Sequence, residues 1–374
     1  MKTKVITFFT AVILIANVSI VSAKVWRVNN TPGVNANFST VAAAITAAAA
    51  GDTVYIEGSS FTYGNVTLNK KLVLLGTGYF LTDNDSTQAN PNTSKVGNLT
   101  ISVGAEGSTI CGIMATGTAT GSLVTVGASN ISIIRCYFTH TAPYNGGSYV
   151  GITLVISSGV NNVLVTQSFI YQGAGTTGSC SYSYYTRALQ LEGNNSGILI
   201  SNNIIKHYIK AGGTTCGTFY AIEMATTSTA VFNNNVITGS FMAYNSIVTN
   251  NIQIVGGANG DYLTSGTYPN TSTNNIGNGS QFGTLNGNKS SVTMTSVFTY
   301  APGNEYTDNH YKLKALSPAL GAGVGGIDCG AFGGTTPYIL SGMPGIPAIY
   351  SATVPVMGTT STGININIKA KARK

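Results

Sequence analysis

Charge is scarce in this chain. Only 8% of its 374 residues are Asp, Glu, Lys or Arg, and the 18 basic residues outnumber the 11 acids. The basic residues are scattered except for Lys369, Lys371, Arg373 and Lys374 at the end. No basic stripe runs along the body, which argues against a nucleic-acid partner. The three histidines, His140, His207 and His310, have no metal-ligand spacing, so no metal site and no cofactor are expected. Long apolar runs are also lacking beyond the first residues. There, Lys2 and Lys4 precede an apolar run from Val5 to Val18, broken by Thr10 and Asn17, and Val21-Ser22-Ala23 follows. The run is too short to span a bilayer. It reads as a signal peptide, residues 1–23, so the mature protein is expected to be secreted or held at the cell surface. Losing the leader lowers the net charge from +7 to about +5.

What the chain has instead is Gly, Asn, Ser and Thr set among β-branched residues. With 43% hydrophobic residues, this composition argues for packed β structure rather than disorder. A short unit recurs: apolar, any, apolar, two variable residues, a small or Asn residue, any, apolar. It appears as Ile131–Phe138, Val163–Ile170, Ile198–Ile205 and Ala230–Ile237, with looser copies around Cys111, Asn250 and Asn274. The small or Asn position is placed at 111, 136, 168, 203, 235, 250 and 274, steps of about 15 to 35 residues, near one solenoid coil plus insertions. A second alternating strand precedes each clear copy: Leu123–Val126, Ile152–Ile156, Ala188–Leu191 and Ala221–Met224. Alternation buries one face, and equivalent residues then stack from coil to coil. The fold class expected is all-β, a right-handed parallel β-helix occupying residues 24–335. A helix over Ser39–Ala50, with apolar residues at helical spacing and Gly51 to end it, should cap its N-terminal end. Residues 336–374 form a Pro-containing extension. Within it, Gly363–Lys369 alternates like a strand, expected to pair with a sheet edge or to await a surface partner, ahead of the basic tail.

Specific segments carry a family resemblance. Phe38-Ser-Thr-Val41, Ala44-Ile45, Gly51-Asp52-Thr-Val-Tyr-Ile56 and Leu72-Val-Leu-Leu-Gly76 resemble the opening of pectin-lyase-like β-helix proteins. Tyr311–Lys314, Ser317-Pro318, Asp328–Gly334 and Pro337–Tyr350 are similar to the closing segments of uncharacterised secreted bacterial members. The resemblance implies the fold and a polysaccharide or cell-surface glycan as partner, but no particular activity, because such solenoids host many functions. Polygalacturonase-type members use an aspartate cluster with Gly-His-Gly and Arg-x-Lys motifs, and pectate-lyase-type members use several acids around Ca²⁺. This chain has neither motif, and between Gly107 and Gly260 its only carboxylates are Glu192 and Glu223.

Those two glutamates are the candidate catalytic residues. Aligning Ala188–Glu192 with Ala221–Ala225 sets Gln190 beside Glu223 and puts Glu192 and Glu223 on one outward face, with Cα atoms about 8 Å apart. Three insertions, His140–Tyr149, Tyr171–Thr186 and Lys206–Phe219, follow the corner strand at equivalent places and should wall that face. Arg187, Gln190, Lys206, His207, Tyr184, Tyr185 and Tyr220 are the candidate substrate-binding residues, since aromatic rings stack on sugars and polar groups take their hydroxyls. Lys206 and His207 are read as the start of the loop between two coils. Of the five cysteines, Cys180 and Cys216 lie in successive insertions and are expected to form a staple. Cys111 and Cys136, at one repeat position, are expected to stack as thiols or a disulfide, and Cys329 is left over. The expected function is glycan binding through this aromatic face. The alternatives are a polysaccharide lyase or glycoside hydrolase, and a structural or adhesive solenoid.

Overall fold

The computed structural model describes residues 23–141, 149–173, 184–208, 217–254, 267–300, 307–355, 357 and 363–372. Residues 1–22, most of the segment read as a leader, residues 142–148, 174–183 and 209–216 of the three insertions, and with them Cys180 and Cys216, lie outside the described residues, and so does the staple expected between those cysteines.

The chain winds as a parallel β-helix. Three long sheets of ten, eight and six strands run along it, and every pairing within them is parallel, each strand bonding to its counterpart on the next coil. The alternation read from the sequence accounts for the inner core. In the ten-stranded sheet, Ile110, Ile133, Val165, Ile200 and Phe232 occupy one register column, all fully buried. Burying each such side chain contributes about 1.5–3 kcal/mol. The first strand is Val25–Val28, which pairs with Thr53–Ile56 across the cap.

The capping helix is Val41–Ala47, shorter than the expected Ser39–Ala50. Thr40 Oγ1 accepts from Ala43 N and starts it, and Val41, Ala44 and Ile45 face the open end of the core. Neighbouring coils end it early. Lys70 Nζ donates to the carbonyls of Ile45 and Ala48 at 3.0 and 2.7 Å, in the position of a C-terminal cap. Asp52 takes Ala49 N at 2.9 Å into the next turn, and also accepts from Trp26 Nε1 and Lys24 N.

Two columns at one corner organise the solenoid. The inner one is a ladder of Cys136, Ser168, Asn203, Asn235, Asn251, Asn275 and Asn288. Each amide Oδ1 from Asn203 onward accepts the backbone N–H of the ladder residue one coil earlier, at 2.8–3.0 Å. The outer column consists of the residues just before it: Arg135, Gln167, Asn202, Asn234, Asn250 and Asn274. All have φ between 53° and 59°, the left-handed turn in which Asn is the best tolerated non-glycine residue. Asn250 and Asn274, expected in the ladder, therefore belong to the outer column. Cys111 is displaced as well, being level with Ile134, while Ile113 is level with Cys136. Cys111, Cys136 and Cys329 are free thiols.

The outer column has a second task, in that it holds the C-terminal segment as a strap. Running back along the solenoid, the strap meets Asn274 at Ala322, Asn250 at Val324, Asn234 at Asp328, Asn202 at Ala331 and Gly333, Gln167 at Pro337, and Arg135 at Met343. Beside it a second apolar core forms outside the coils. Phe169, Ile204, Val236 and Ile252, from the outer face of the eight-stranded sheet, pack with Phe298, Tyr311, Ala331 and Tyr338. The 335/336 boundary read from the sequence thus falls within the strap. Beyond the strap, Ala348–Thr353 pairs antiparallel with Asn367–Lys371, so the terminal strand bonds within the extension. Since the strap covers the outer face of the eight-stranded sheet, the six- and ten-stranded sheets keep outward faces for a ligand.

Candidate functional site

The six-stranded sheet carries the candidate residues. Its outward column reads Thr67, Thr100, Thr125, Val155, Gln190 and Glu223, one residue per coil. The alignment of Gln190 with Glu223 holds in the register. Alternation breaks where Ala188 and Leu189, and Ala221 and Ile222, are buried in succession. That break leaves both Arg187 and Gln190 partly exposed on the outside.

Arg187 then reaches across to the next coil. Its Nε and Nη2 donate to the two carboxylate oxygens of Glu223, the Nη2 contact being 3.2 Å, and Gln190 Nε2 donates to Oε2 at 3.1 Å. The side chains of Arg187 and Glu223 are 12% and 20% exposed, so water screens the pair only partly. Glu192 is exposed just past the end of the strand that carries Gln190, Tyr184–Leu191. Tyr185 is 42% exposed and its ring lies 5.9 Å from the Arg187 guanidinium. Arg187, Gln190, Glu223, Glu192 and Tyr185 are therefore brought to one surface.

Three candidates are not. Lys206 and His207 belong to the strand Ile204–His207 of the eight-stranded sheet, 4% and 2% exposed, rather than to a loop. Pairing with Tyr171 and Gln172 extends that strand through both residues. Tyr220, level with Arg187, is 6% exposed. For Tyr184 the strand position alone is described, level with Tyr149.

His207 has a different set of neighbours. His140, Gln172 and His207 share one register column, all at most 2% exposed. His207 Nε2 is 2.8 Å from Thr186 Oγ1, and its ring is 5.7 Å from that of Phe219. His140 Nε2 lies 2.8 Å from Ala119 O and 3.1 Å from the Tyr149 hydroxyl, and Thr153 Oγ1 donates to Gln172 Oε1 at 2.9 Å. Burial, aided by the nearby Arg187 charge, pushes His207 down to about 3, and burial also lowers His140. The imidazoles are neutral under ordinary conditions and act as packed polar struts beneath the face. The sequence holds a signal for this column, because His140, Gln172 and His207 are spaced like Cys136, Ser168 and Asn203 in the ladder.

Chemically, the surface offers amide, carboxylate and guanidinium groups beside an exposed ring. Among the described residues no group of three His, Cys, Asp or Glu could hold a metal ion. No protein-family model matches the sequence, and no curated protein does. Among solved structures, the crystal structure of pectate lyase Pel9A is similar, with a TM-score of 0.48, 14% sequence identity, and coverage of 84% of this chain and 97% of that one.

Proposed function

We propose that the protein is an exported β-helix that binds polysaccharide along the outer face of its six-stranded sheet. The observation that carries this reading is the Arg187–Glu223–Gln190 cluster, held across adjacent coils beside the exposed ring of Tyr185. Planar hydrogen-bonding groups in fixed geometry take sugar hydroxyls, and a ring beside them stacks on the sugar face. Past the buried Val155, the outward column continues through Thr125, Thr100 and Thr67, so a glycan running along the solenoid axis meets polar groups on five of six coils, over a length of about 24 Å. The leader-like residues 1–23 support export. Calorimetric titration with a panel of soluble polysaccharides tests the reading. Tyr185→Ala and Arg187→Ala should each weaken binding at least about fivefold, a loss near 1 kcal/mol. Unchanged affinity in both folded variants would reject it.

A hydrolase or lyase is the second reading, favoured by Glu192 and Glu223 facing outward on neighbouring coils. Against it, Glu223 already accepts three hydrogen bonds from Arg187 and Gln190. A general acid would have to give these up. Release of reducing ends or unsaturated products from the same panel, lost in Glu192→Gln, would establish catalysis.

A further inference from the structure

We infer that the polysaccharide taken by this face is neutral rather than a polyuronate. The inference rests on the glycan-binding reading above and adds the substrate class. A polyuronate presents a carboxylate on every ring. A protein surface that binds it must supply cations, because a carboxylate stripped of water without a partner is costly. On the described face the cation is Arg187, and both its Nε and Nη2 are committed to Glu223. Turning Arg187 toward a ligand would strand the Glu223 carboxylate, 20% exposed, with Gln190 alone. Glu192, exposed just past the end of the strand that carries Arg187, adds a second acid.

The rest of the column is uncharged: Thr67, Thr100, Thr125, Val155 and Gln190. Lys206, the next cation along the chain, is buried in the neighbouring sheet. Of the insertion residues outside the described structure, the single charged one is Lys210. Counting it, Arg187 and Lys210 only balance Glu192 and Glu223. At the far end, the turns leaving the face carry Lys70, Lys71 and Glu106. Lys70 Nζ is committed to the carbonyls of Ile45 and Ala48 at the cap, which leaves Lys71 and Glu106, one of each sign. Hydroxyls and amides that both donate and accept, with one ion pair closed on itself, match a polymer of hydroxyl groups.

The test compares neutral oligosaccharides (glucan, mannan and xylan series) with oligogalacturonate of equal length, by calorimetry at about 20 and about 500 mM NaCl. The chain used carries Lys369, Lys371, Arg373 and Lys374 all changed to Gln, so that the basic tail contributes nothing. At least one neutral series should bind at least about tenfold tighter than the uronate, with affinity shifting less than about twofold between the two salt concentrations. Tighter uronate binding that falls with salt would leave the glycan-binding reading standing and overturn neutrality. Binding of neither class would remove the glycan-binding reading itself, and the inference with it.

Discussion

Asn202 and Asn203 are neighbours in the chain that face opposite ways and hold different parts of the molecule. Asn202, at φ 54°, turns outward and donates to the strap carbonyls of Ala331 and Gly333 at 3.0 and 2.7 Å. Asn203 turns inward, donating to Val165 O at 2.8 Å and accepting from Ser168 N at 2.9 Å. The dipeptide recurs at 234–235, 250–251 and 274–275, and divides the same work on later coils.

Separate substitutions should therefore have separable effects. Asn203→Ala leaves buried backbone groups unpaired and should cost about 2–4 kcal/mol of global stability in denaturant unfolding. Asn202→Gly keeps the left-handed backbone but loses both strap bonds. It should cost about 1 kcal/mol and chiefly speed hydrogen exchange in 322–343. Equal exchange throughout the chain in the two variants would contradict the division of labour.

The strap is also clamped at its far end, and the clamp should respond to pH. Asp308 is fully buried and accepts from Ser341 N at 2.6 Å, Asn84 Nδ2 at 2.8 Å and the Tyr338 hydroxyl at 3.3 Å. Burial outweighs these bonds and raises its pKa. A carboxyl whose folded pKa is raised contributes stability that is fully present below its unfolded value, about 3.9, and is lost as pH rises through the folded one. Exchange protection of 338–343 should accordingly decline upward from about pH 4. Asp308→Asn should flatten that dependence. It should also lower protection throughout, by about 1–3 kcal/mol, because an amide offers one acceptor oxygen in place of two.

His207 should act in the opposite direction. Its folded pKa, about 3, lies below the unfolded value near 6.5, so the folded state binds fewer protons and stability falls as pH drops from about 6.5 toward 3. Glutamine already serves in the same column at Gln172. His207→Gln should remove a loss of a few kcal/mol across that window. The quantity to measure is the difference in unfolding free energy between variant and wild type at pH 7 and pH 4. A constant difference would mean that water reaches the ring.

The parts of this design that could be read from the sequence are those whose signal is periodic. Ser168, Asn203 and Asn235 stand out because apolar residues flank them at fixed offsets. In Asn250-Asn251 and Asn274-Asn275 both positions are Asn, so the pattern does not distinguish ladder from corner, and only the register does. Val25–Val28 is a four-residue run without clear alternation, and its partner strand lies beyond the helix, so it is hidden from a local reading. Lys206 and His207 follow two isoleucines and are polar, which suggests a loop. Their burial depends on neighbouring coils distant in sequence. The Arg187–Glu223 contact is long-range as well, because the break in alternation at Ala188–Leu189 turns Arg187 to the outside.

That contact also makes a stability prediction independent of any ligand. Both side chains are less than a third exposed, so the pair should be worth more than a surface ion pair, yet less than a fully buried one. Arg187→Met removes the cation and leaves Glu223 partly desolvated with Gln190, while Glu223→Gln leaves Arg187 without its counter-charge. Each should cost about 1–3 kcal/mol, and the double variant should cost less than the sum, with a coupling of about 1–2 kcal/mol. Arg187→Met carries a second signature. The Arg187 charge helps to hold His207 low, so its loss should move the His207 titration upward and weaken the acid sensitivity described above. Chemical denaturation of the four proteins, with the His207 titration followed by NMR in wild type and Arg187→Met, measures both effects. Strict additivity with an unmoved His207 would mean that solvent screens the pair completely, and the rigid cluster proposed to meet the glycan would not exist.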